Sequence, residues 1–142
     1  MPLHRFYIPV GFYSKEDKAA VVKAVQQCYP HLPKFYVVVI FIEVDKENFY
    51  VGAEATDNFV RVVVHHMAAH YRPLARSDEY KKVFMDKYDK ALEPFIKARG
   101  ADWEIQIAEM DRRLWGINGI NPPPRNSEAE ALWVKENRPS EY

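Results

Sequence analysis

The chain has 142 residues, and its 20 Lys and Arg residues balance its 20 Asp and Glu residues, so the formal net charge at pH 7 is zero. A chain of this length is most simply one domain, 1–142, and its balanced charge predicts neither nucleic acid nor an anionic membrane as a partner. Cys28 is the single cysteine, which excludes an internal disulfide, and neither a signal peptide nor an apolar run of transmembrane length is visible. We therefore expect a cytoplasmic protein.

The first half of the chain predicts a strand, a helix and a second strand. Residues 3–8 form the first strand, and Ser14 with Asp17 predicts a capping box at the start of a helix over 15–29. Residues 35–44 read FYVVVIFIEV, an apolar run rich in β-branched and aromatic residues. Such a run is typical of a strand that is covered on both faces. Residues 49–51 predict a short hairpin return before Gly52.

The second half repeats this order. Residues 59–67 predict a strand, and Ser77 begins a helix that runs to about residue 99, with Gly100 as its stop signal. Pro94 lies inside this helical pattern and is expected to kink or shorten it. Trp103, Ile105 and Ile107 alternate with polar residues, which predicts a strand with one polar face.

Together these elements predict an α+β fold of two βαβ units, 1–44 and 59–108. They would form a four-stranded sheet with two helices on one face, and the bare opposite face predicts an oligomer. Residues 109–142 form a C-terminal extension with the connector NPPP at 121–124. Ser127 and Glu130 predict a capping box that opens a short helix containing Leu132 and Trp133. This extension is expected to wrap its own subunit or a neighbour.

Pro2 directly follows the initiator Met at the start of the first predicted strand. Processing usually removes Met before so small a residue, and this would leave Pro2 with a free secondary amine inside the fold. An α-amino group has a pKa of about 7.7–8.0, which apolar surroundings and nearby cations lower. A neutral proline amine could then take up and return a proton near pH 7. If Met1 stays attached, the nitrogen is an amide and cannot act as a base.

In order and spacing, six stretches of the chain resemble the tautomerase superfamily, and in detail the cis-3-chloroacrylic acid dehalogenase-like group with its fungal members. These stretches are MPLHRFYIP, DKAAVVKAV, FYVVVIFIE, FVRVVVHH, the DWE strand, and the tail from NPPP to ENRP. The resemblance covers nearly the whole chain. It implies a homotrimer that acts on a small carboxylate substrate, with Pro2 as catalytic base or acid, and no cofactor is expected.

The resemblance also implies substrate-binding positions. The two arginines that hold the carboxylate in the dehalogenase fall on Ala69 and Arg72, so one is missing, and Arg76 or His70 is expected to compensate. The histidine that contacts the carboxylate from the end of the first helix falls on Tyr29, with His31 close by. Apolar walls are expected from Trp103 or Phe35.

Two further positions depart from the dehalogenase. The tyrosine that helps to activate water falls on Gln106, and the glutamate that serves as general base for water falls on Ile117. Ile117 cannot deprotonate water, so hydration or hydrolytic dehalogenation would need Glu109 or Glu104 to lie close. Tautomerisation needs less, because one group moves the proton while cations hold the carboxylate and stabilise the enolate.

The leading hypothesis is therefore a tautomerase that uses Pro2 for keto–enol interconversion of a small 2-oxo acid. One alternative is a hydratase or hydrolytic dehalogenase of 3-substituted acrylates, and another is a trimeric scaffold that binds a ligand without turnover. The predicted substrate-binding residues are Arg72, Tyr29, Gln106, His70 and Arg76.

Other site chemistries have weaker support in the sequence. His65, His66 and His70 suggest a metal, but neighbours on a strand point to opposite faces, and neither a Cys pair nor a His-Glu-x-x-His pattern is present. We expect no metal. Cys28 falls on the buried side of its helix, as a core residue would. No phosphate loop, nucleotide fingerprint or basic–aromatic stripe is found.

Overall fold

The computed structural model describes residues 1–67 and 77–142. The helices, in chain order, are α1 Lys15–Gln27, α2 Asp78–Ile96 and α3 Glu128–Glu136. The strands, in the same order, are β1 Pro2–Pro9, β2 Val38–Val44, β3 Tyr50–Val51, β4 Glu54–Ala55, β5 Phe59–His66 and β6 Asp102–Glu109.

The main sheet has four strands in the order β2-β1-β5-β6. Strand β1 runs parallel to β2, and β5 runs parallel to β6, so each half of the chain is a βαβ unit as predicted. The two units join through the antiparallel pair β1–β5, which makes the sheet mixed. The predicted α+β class, with a four-stranded sheet and helices, is confirmed.

One face of the sheet carries the core. Alternate residues of the two central strands are fully buried, among them Phe6, Val62 and Val64. They belong to one cluster with Val21 of α1 and Leu92 of α2, so both helices pack on this face. The alternation follows from the pleat of a strand, which sends neighbouring side chains to opposite faces.

Strand β2 differs from its prediction. It is an edge strand in which no residue is fully buried, and Ile40 is 43% exposed. The expectation of cover on both faces is therefore wrong for a single chain. An apolar sequence indicates that other residues cover both faces of a strand, but it does not indicate whether those residues belong to the same subunit.

The predicted hairpin return is also displaced. Strand β3 pairs with β4 rather than with β2. Gly52 and Ala53 connect these strands with φ of 59° and 70°, the left-handed values of a two-residue hairpin turn. Strand β3 therefore forms a hairpin with the residues that follow it, because the turn at Gly52 and Ala53 has a twist that matches the twist of the two strands.

Both long helices begin where their caps predict. The Ser14 Oγ accepts a hydrogen bond from the Asp17 backbone N–H, and the Asp17 carboxylate accepts one from the Ser14 N–H. Ser77 caps α2 through its Oγ, which accepts a hydrogen bond from the backbone N–H of Tyr80. The α-helical part of α2 ends at Ile96, two residues after Pro94 and short of the predicted residue 99, and a 3₁₀ turn leads to Gly100 at φ 74°.

The C-terminal extension packs on its own subunit, one of its two expected positions. The Trp133 side chain is fully buried, and its ring lies 5.9 Å from that of Phe35 and 6.2 Å from that of Tyr36. Asn137 ends α3 in the left-handed conformation, and its Oδ1 accepts a hydrogen bond from the Phe35 N–H at 3.1 Å. Within residues 1–67 and 77–142, no helix has the length and apolar character needed to cross a membrane.

Candidate active site at the start of the first strand

Pro2 is buried at the first position of β1, one of the two central strands. It lies directly opposite His66 in the antiparallel ladder with β5. The carbonyl of Met1 accepts a hydrogen bond from the Met67 N–H at 3.4 Å, which extends this pairing by one residue. The start of β1 is thus held inside the sheet, as the sequence predicts.

The surroundings of the terminal nitrogen disfavour positive charge. Burial, and secondarily the charge of Arg112, lower the pKa of the Met1 α-amino group from 8.0 to about 4. Arg112 lies in the C-terminal extension, is itself buried, and donates to the carbonyls of Pro122 and Pro123. The Met1 amine is therefore uncharged near neutral pH.

Two buried histidines lie behind Pro2 on the helix-facing side of the sheet. The ring of His66 is 5.7 Å from that of Tyr29 and 5.6 Å from that of Phe84. Burial, followed by the charge of the N-terminal amine, lowers the pKa of His66 to about 4. His66 is thus a neutral imidazole at pH 7, and its Nε2 has no hydrogen-bond partner in the part of the chain that the structure describes.

His4 forms the next layer of this cluster. Its Nδ1 lies 2.6 Å from the Tyr88 hydroxyl, and its ring stacks on Tyr88 at 5.5 Å. Burial and the neighbouring His66 lower the pKa of His4 to about 3. A pair of uncharged bases and their aromatic neighbours therefore forms the interior wall behind the start of β1.

Two cavities adjoin this wall and share His66, Tyr80 and Phe84. The larger has a volume of about 480 Å³ and includes Glu109 in its lining. The smaller has a volume of about 260 Å³ and includes Tyr29. His66 lines both cavities and pairs with Pro2 in the sheet, whereas neither Met1 nor Pro2 is among the described lining residues of either cavity.

The predicted substrate-binding residues fall in three places. Tyr29 lies in the smaller cavity next to His66. Gln106 lies on the opposite face of the sheet, where its Oε1 accepts a hydrogen bond from Arg61 Nη2 at 3.0 Å, so one subunit does not bring it to Pro2. His70, Arg72 and Arg76 lie outside the described residues, as does Ala69.

The candidate water-activating positions are also separated. Ile117 is half-buried in the extension, where it pairs with Ile120 in an isolated bridge. Glu104 faces away from the helices and pairs with Arg61. Glu109 lies opposite His66 in the β5–β6 register and lines the larger cavity. Of the two carboxylates considered from the sequence, the fold therefore brings Glu109 to the site.

The remaining candidates lie elsewhere. Phe35 packs against Trp133, and the Trp103 Nε1 donates to Asp89 at 2.7 Å; neither is among the described residues that line the two cavities. His65 points away from His66 and contacts Arg5 on the other face. Burial raises the pKa of the Cys28 thiol, which disfavours the reactive thiolate. In the described ranges, no three potential metal ligands cluster.

Sequence reasoning missed His66, His4 and Arg112 as parts of the site. A signal existed for the histidines, since both occupy inward positions of strands whose other inward residues are apolar. The sequence around Arg112 has no such pattern. Its position depends on how the C-terminal extension folds, because Arg112 is held by the carbonyls of Pro122 and Pro123.

Comparison with known proteins agrees with this architecture. Native RhCC from Rhodococcus jostii RHA1 has 40% sequence identity and a TM-score of 0.92, with 99% of each chain covered. A probable enzyme from the thermophilic fungus Aspergillus fumigatus has 36% identity and a TM-score of 0.91, with 100% of this chain and 98% of that chain covered. N1, a member of the cis-3-chloroacrylic acid dehalogenase family, has a TM-score of 0.74 at 14% identity, over 95% and 97% of the two chains, and shows the fold alone.

The fold is thus that of the tautomerase superfamily, as the resemblance in the sequence indicates. Residues 1–138 match the model of the family described as "Putative oxalocrotonate tautomerase enzyme", and the chain belongs to this family. No curated protein matches the chain at a significant level.

Proposed function

We propose that this chain is a tautomerase in which Pro2, freed by removal of Met1, interconverts the enol and keto forms of a small 2-oxo acid. The neutral amine of Pro2 accepts the enol hydroxyl proton. It then delivers that proton to the adjacent carbon as the carbonyl forms. One proton leaves oxygen, one reaches carbon, and the amine is regenerated.

The observation that supports this proposal most is the environment of the terminal nitrogen. At Met1, burial and Arg112 already lower the amine pKa to about 4. Loss of Met1 moves the amine one residue along β1, to the buried position opposite His66. A neutral amine beside a cation suits both proton uptake and stabilisation of the developing enolate charge.

The proposed substrate is a small carboxylate, and no nucleic acid, membrane, metal or cofactor is part of the mechanism. Arg72, with His70 or Arg76, is proposed to bind the substrate carboxylate, and Tyr29 to line the pocket. Gln106 could reach a site only across a subunit boundary, because it lies on the face of the sheet away from its own Pro2.

We propose a homotrimer. A fused 4-OT described as an asymmetric trimer shares this fold at a TM-score of 0.66 and 18% identity. The face of the sheet away from the helices also carries apolar side chains that a single chain leaves partly open, as Ile40 of β2 shows. Such a face favours association.

The first experiment is an intact mass, because a mass that includes Met1 removes the proposed base. The second follows ketonisation of phenylenolpyruvate by the native chain and by Pro2→Ala. We expect a loss on the order of 100-fold or more in kcat/KM, as for removal of a general base. Pro9→Ala, at the other end of the same strand, should retain the native rate.

Equal rates for the native chain and Pro2→Ala would refute the proposed mechanism. Absence of turnover in a chain that has lost Met1 and still binds the keto acid would support the non-catalytic trimeric alternative. The cytoplasmic location is a separate prediction, which these assays do not test.

One observation favours the hydratase or hydrolytic dehalogenase as a second candidate. Glu109 lines the larger cavity together with His66. A carboxylate that could act as general base for water is therefore present, although Ile117 occupies the position of the dehalogenase glutamate. Halide release from cis-3-chloroacrylate, compared between the native chain and Glu109→Gln, tests this function. Halide release that depends on Glu109 would establish this second function. Ketonisation without halide release would exclude it and leave the tautomerase as the single supported function.

A further inference from the structure

The smaller cavity carries basic groups that the proposed proton transfer does not use. Its described lining includes His31, Lys87 and Arg125, and contains no Asp or Glu. These residues come from the segment after α1, from α2 and from the C-terminal extension. Tyr29 and Phe84 contribute aromatic wall. A partly apolar cavity with cations and no lining acid is suited to an organic anion.

Arg125 has a buried N–H donor without a hydrogen-bond acceptor among the described residues. Its side chain is only 16% exposed, and its Nε is buried without a hydrogen-bond partner among the described residues. The nearest carboxylate oxygen is Oε1 of Glu130, 3.6 Å from Nη1, which is beyond hydrogen-bond distance. Burying a guanidinium N–H without an acceptor is costly, so the geometry indicates a missing acceptor.

Glu130 is held by another contact. Its Oε2 accepts a hydrogen bond from the Asn126 N–H at 2.7 Å, which fixes the carboxylate at the start of α3. Glu130 therefore balances the charge of Arg125 without occupying its Nε. Arg125 lines the cavity, so we expect the ligand at guanidinium N–H groups other than the buried Nε, and guanidinium groups bind carboxylates with two parallel hydrogen bonds.

Lys87 provides a second cation in the same cavity. Its Nζ donates to the backbone carbonyl of Cys28 at 3.1 Å, just beyond the end of α1. An ammonium has further N–H groups, so this bond positions Lys87 and leaves donors for an anion. The cavity thus contains one anchored ammonium and one guanidinium with an unused donor.

We propose that Arg125 and Lys87 add two cations to the binding of the 2-oxo acid carboxylate, an inference that rests on the proposed function. The substrate carboxylate lies at Arg125, its apolar part lies along Tyr29 and Phe84, and its reacting carbons point to His66 and Pro2. The C-terminal extension then supplies a cation to a site in which Ala69 replaces one of the expected arginines. The volume of about 260 Å³ favours a small acid over a large one.

Binding of a non-reacting acid tests this subsite without requiring turnover. Isothermal titration calorimetry would compare 3-phenylpropionate with its neutral amide, for the native chain, Arg125→Gln and Arg138→Gln. Arg138 is the matched control, because it lies in the same extension with a side chain that is 70% exposed. We expect Arg125→Gln to weaken acid binding at least tenfold while amide binding is unchanged, and Arg138→Gln to change neither.

Two further variants separate ligand binding from folding. Glu130→Gln removes the charge that competes for Arg125, so acid binding should stay equal or become tighter. The double variant Arg125→Gln with Glu130→Gln avoids an uncompensated buried carboxylate and should show the same loss as Arg125→Gln alone. No measurable binding of the acid to the native chain, native affinity in Arg125→Gln, or parallel losses for acid and amide would each overturn the subsite.

The steady-state readout distinguishes this inference from the proposed function. If phenylenolpyruvate is turned over and Arg125→Gln leaves KM unchanged, the subsite is wrong and the tautomerase stands. If 3-phenylpropionate binding depends on Arg125 but nothing is turned over, the subsite stands and the proposed reaction is wrong.

Discussion

At the scale of single residues, the site is built from bases that the fold keeps uncharged. His4 and His66 have an ordinary pKa of 6.5, and burial lowers it to about 3 and about 4 respectively. In each case a positive charge on a neighbouring base would lower the pKa further, that of His66 for His4 and that of the terminal amine for His66. The same burial that suppresses charge on the amine therefore suppresses it on the imidazoles.

This arrangement makes stability depend on pH. The unfolded chain binds protons at these histidines below pH 6.5, whereas the folded chain does not until pH 4 or lower. Their contribution is complete above pH 6.5 and is lost as the pH falls from 6.5 towards 4 and 3. For His66 the loss is on the order of 3 kcal/mol. Urea denaturation at pH 7.5, 6.5, 5.5 and 4.5, followed by tryptophan fluorescence, measures it.

His66→Gln isolates that contribution. It should reduce the fall in unfolding free energy between pH 6.5 and 4.5, although the N-terminal amine, whose pKa is also lowered, continues to contribute. The lowered pKa values of Asp17, Glu43 and Glu93, which are at least partly exposed, shift their titration to more acidic pH, largely below this window. Identical pH profiles for the native chain and His66→Gln would contradict the assignment.

The sequence predicted part of this site. The local pattern predicted Pro2 at the start of a buried strand, where the structure has it, and the resemblance indicated Tyr29, which lines the smaller cavity. Arg112 and Arg125 could not be predicted in this way. Each lies in a segment whose course depends on tertiary packing, and an isolated arginine in a polar stretch ordinarily indicates a surface residue.

At the scale of elements, the ends of helices were predicted most reliably, because the sequence features that set them span only a few residues. The caps at Ser14 and Ser77, and the stop at Gly100, are confirmed because each is a local contact between a side chain or glycine and the adjacent backbone. The cover of β2 and the partner of β3 were predicted wrongly. Both depend on which strand lies beside them, and this is decided by contacts distant in sequence.

The extension supplies an element-scale prediction. Leu132 and Trp133 are neighbours in α3, yet Trp133 is fully buried whereas Leu132 is 39% exposed. Trp133→Ala removes a buried indole that packs on Phe35 and Tyr36, and should lower the free energy of unfolding by about 3–5 kcal/mol. Leu132→Ala is the control and should cost about 1 kcal/mol or less.

Chemical denaturation followed by far-ultraviolet circular dichroism would measure both variants. Similar small losses would show that the extension adds little to the stability of the subunit, and the packing of α3 would then need another explanation. A large loss for Trp133→Ala alone would show that the extension is part of the folded unit. That result would also explain how Arg112 and Arg125 are held in place at the site.

At the scale of the whole molecule, the two faces of the sheet have different roles. The helix-facing side holds the core and His66, whereas the other side carries half-buried residues together with Arg61 and Gln106. Strand β2 lies at an edge, and its apolar residues are incompletely covered within one chain. The proposed trimer accounts for this pattern, because it would cover an apolar edge that is otherwise a risk for uncontrolled association.

Ile40 tests this assignment directly. It pairs with Arg5 on the face away from the helices and is 43% exposed, so a charge there should cost little in a monomer but much in a buried interface. Multi-angle light scattering should give the native chain a mass of about three times its 16.7 kDa, and Ile40→Asp a lower mass. Val134→Asp, on α3 with 44% exposure, is the matched control and should remain assembled.

The same pair of variants connects assembly to activity. If Gln106 completes a neighbouring site, Ile40→Asp should lose ketonisation activity together with its trimeric mass, whereas Val134→Asp should keep both. A monomeric Ile40→Asp with native kcat/KM would show that each subunit is sufficient alone, and the proposed role of Gln106 would then fail. An Ile40→Asp chain that remains trimeric would place the interface on another surface, because a buried carboxylate without a partner is too costly to keep at a subunit contact.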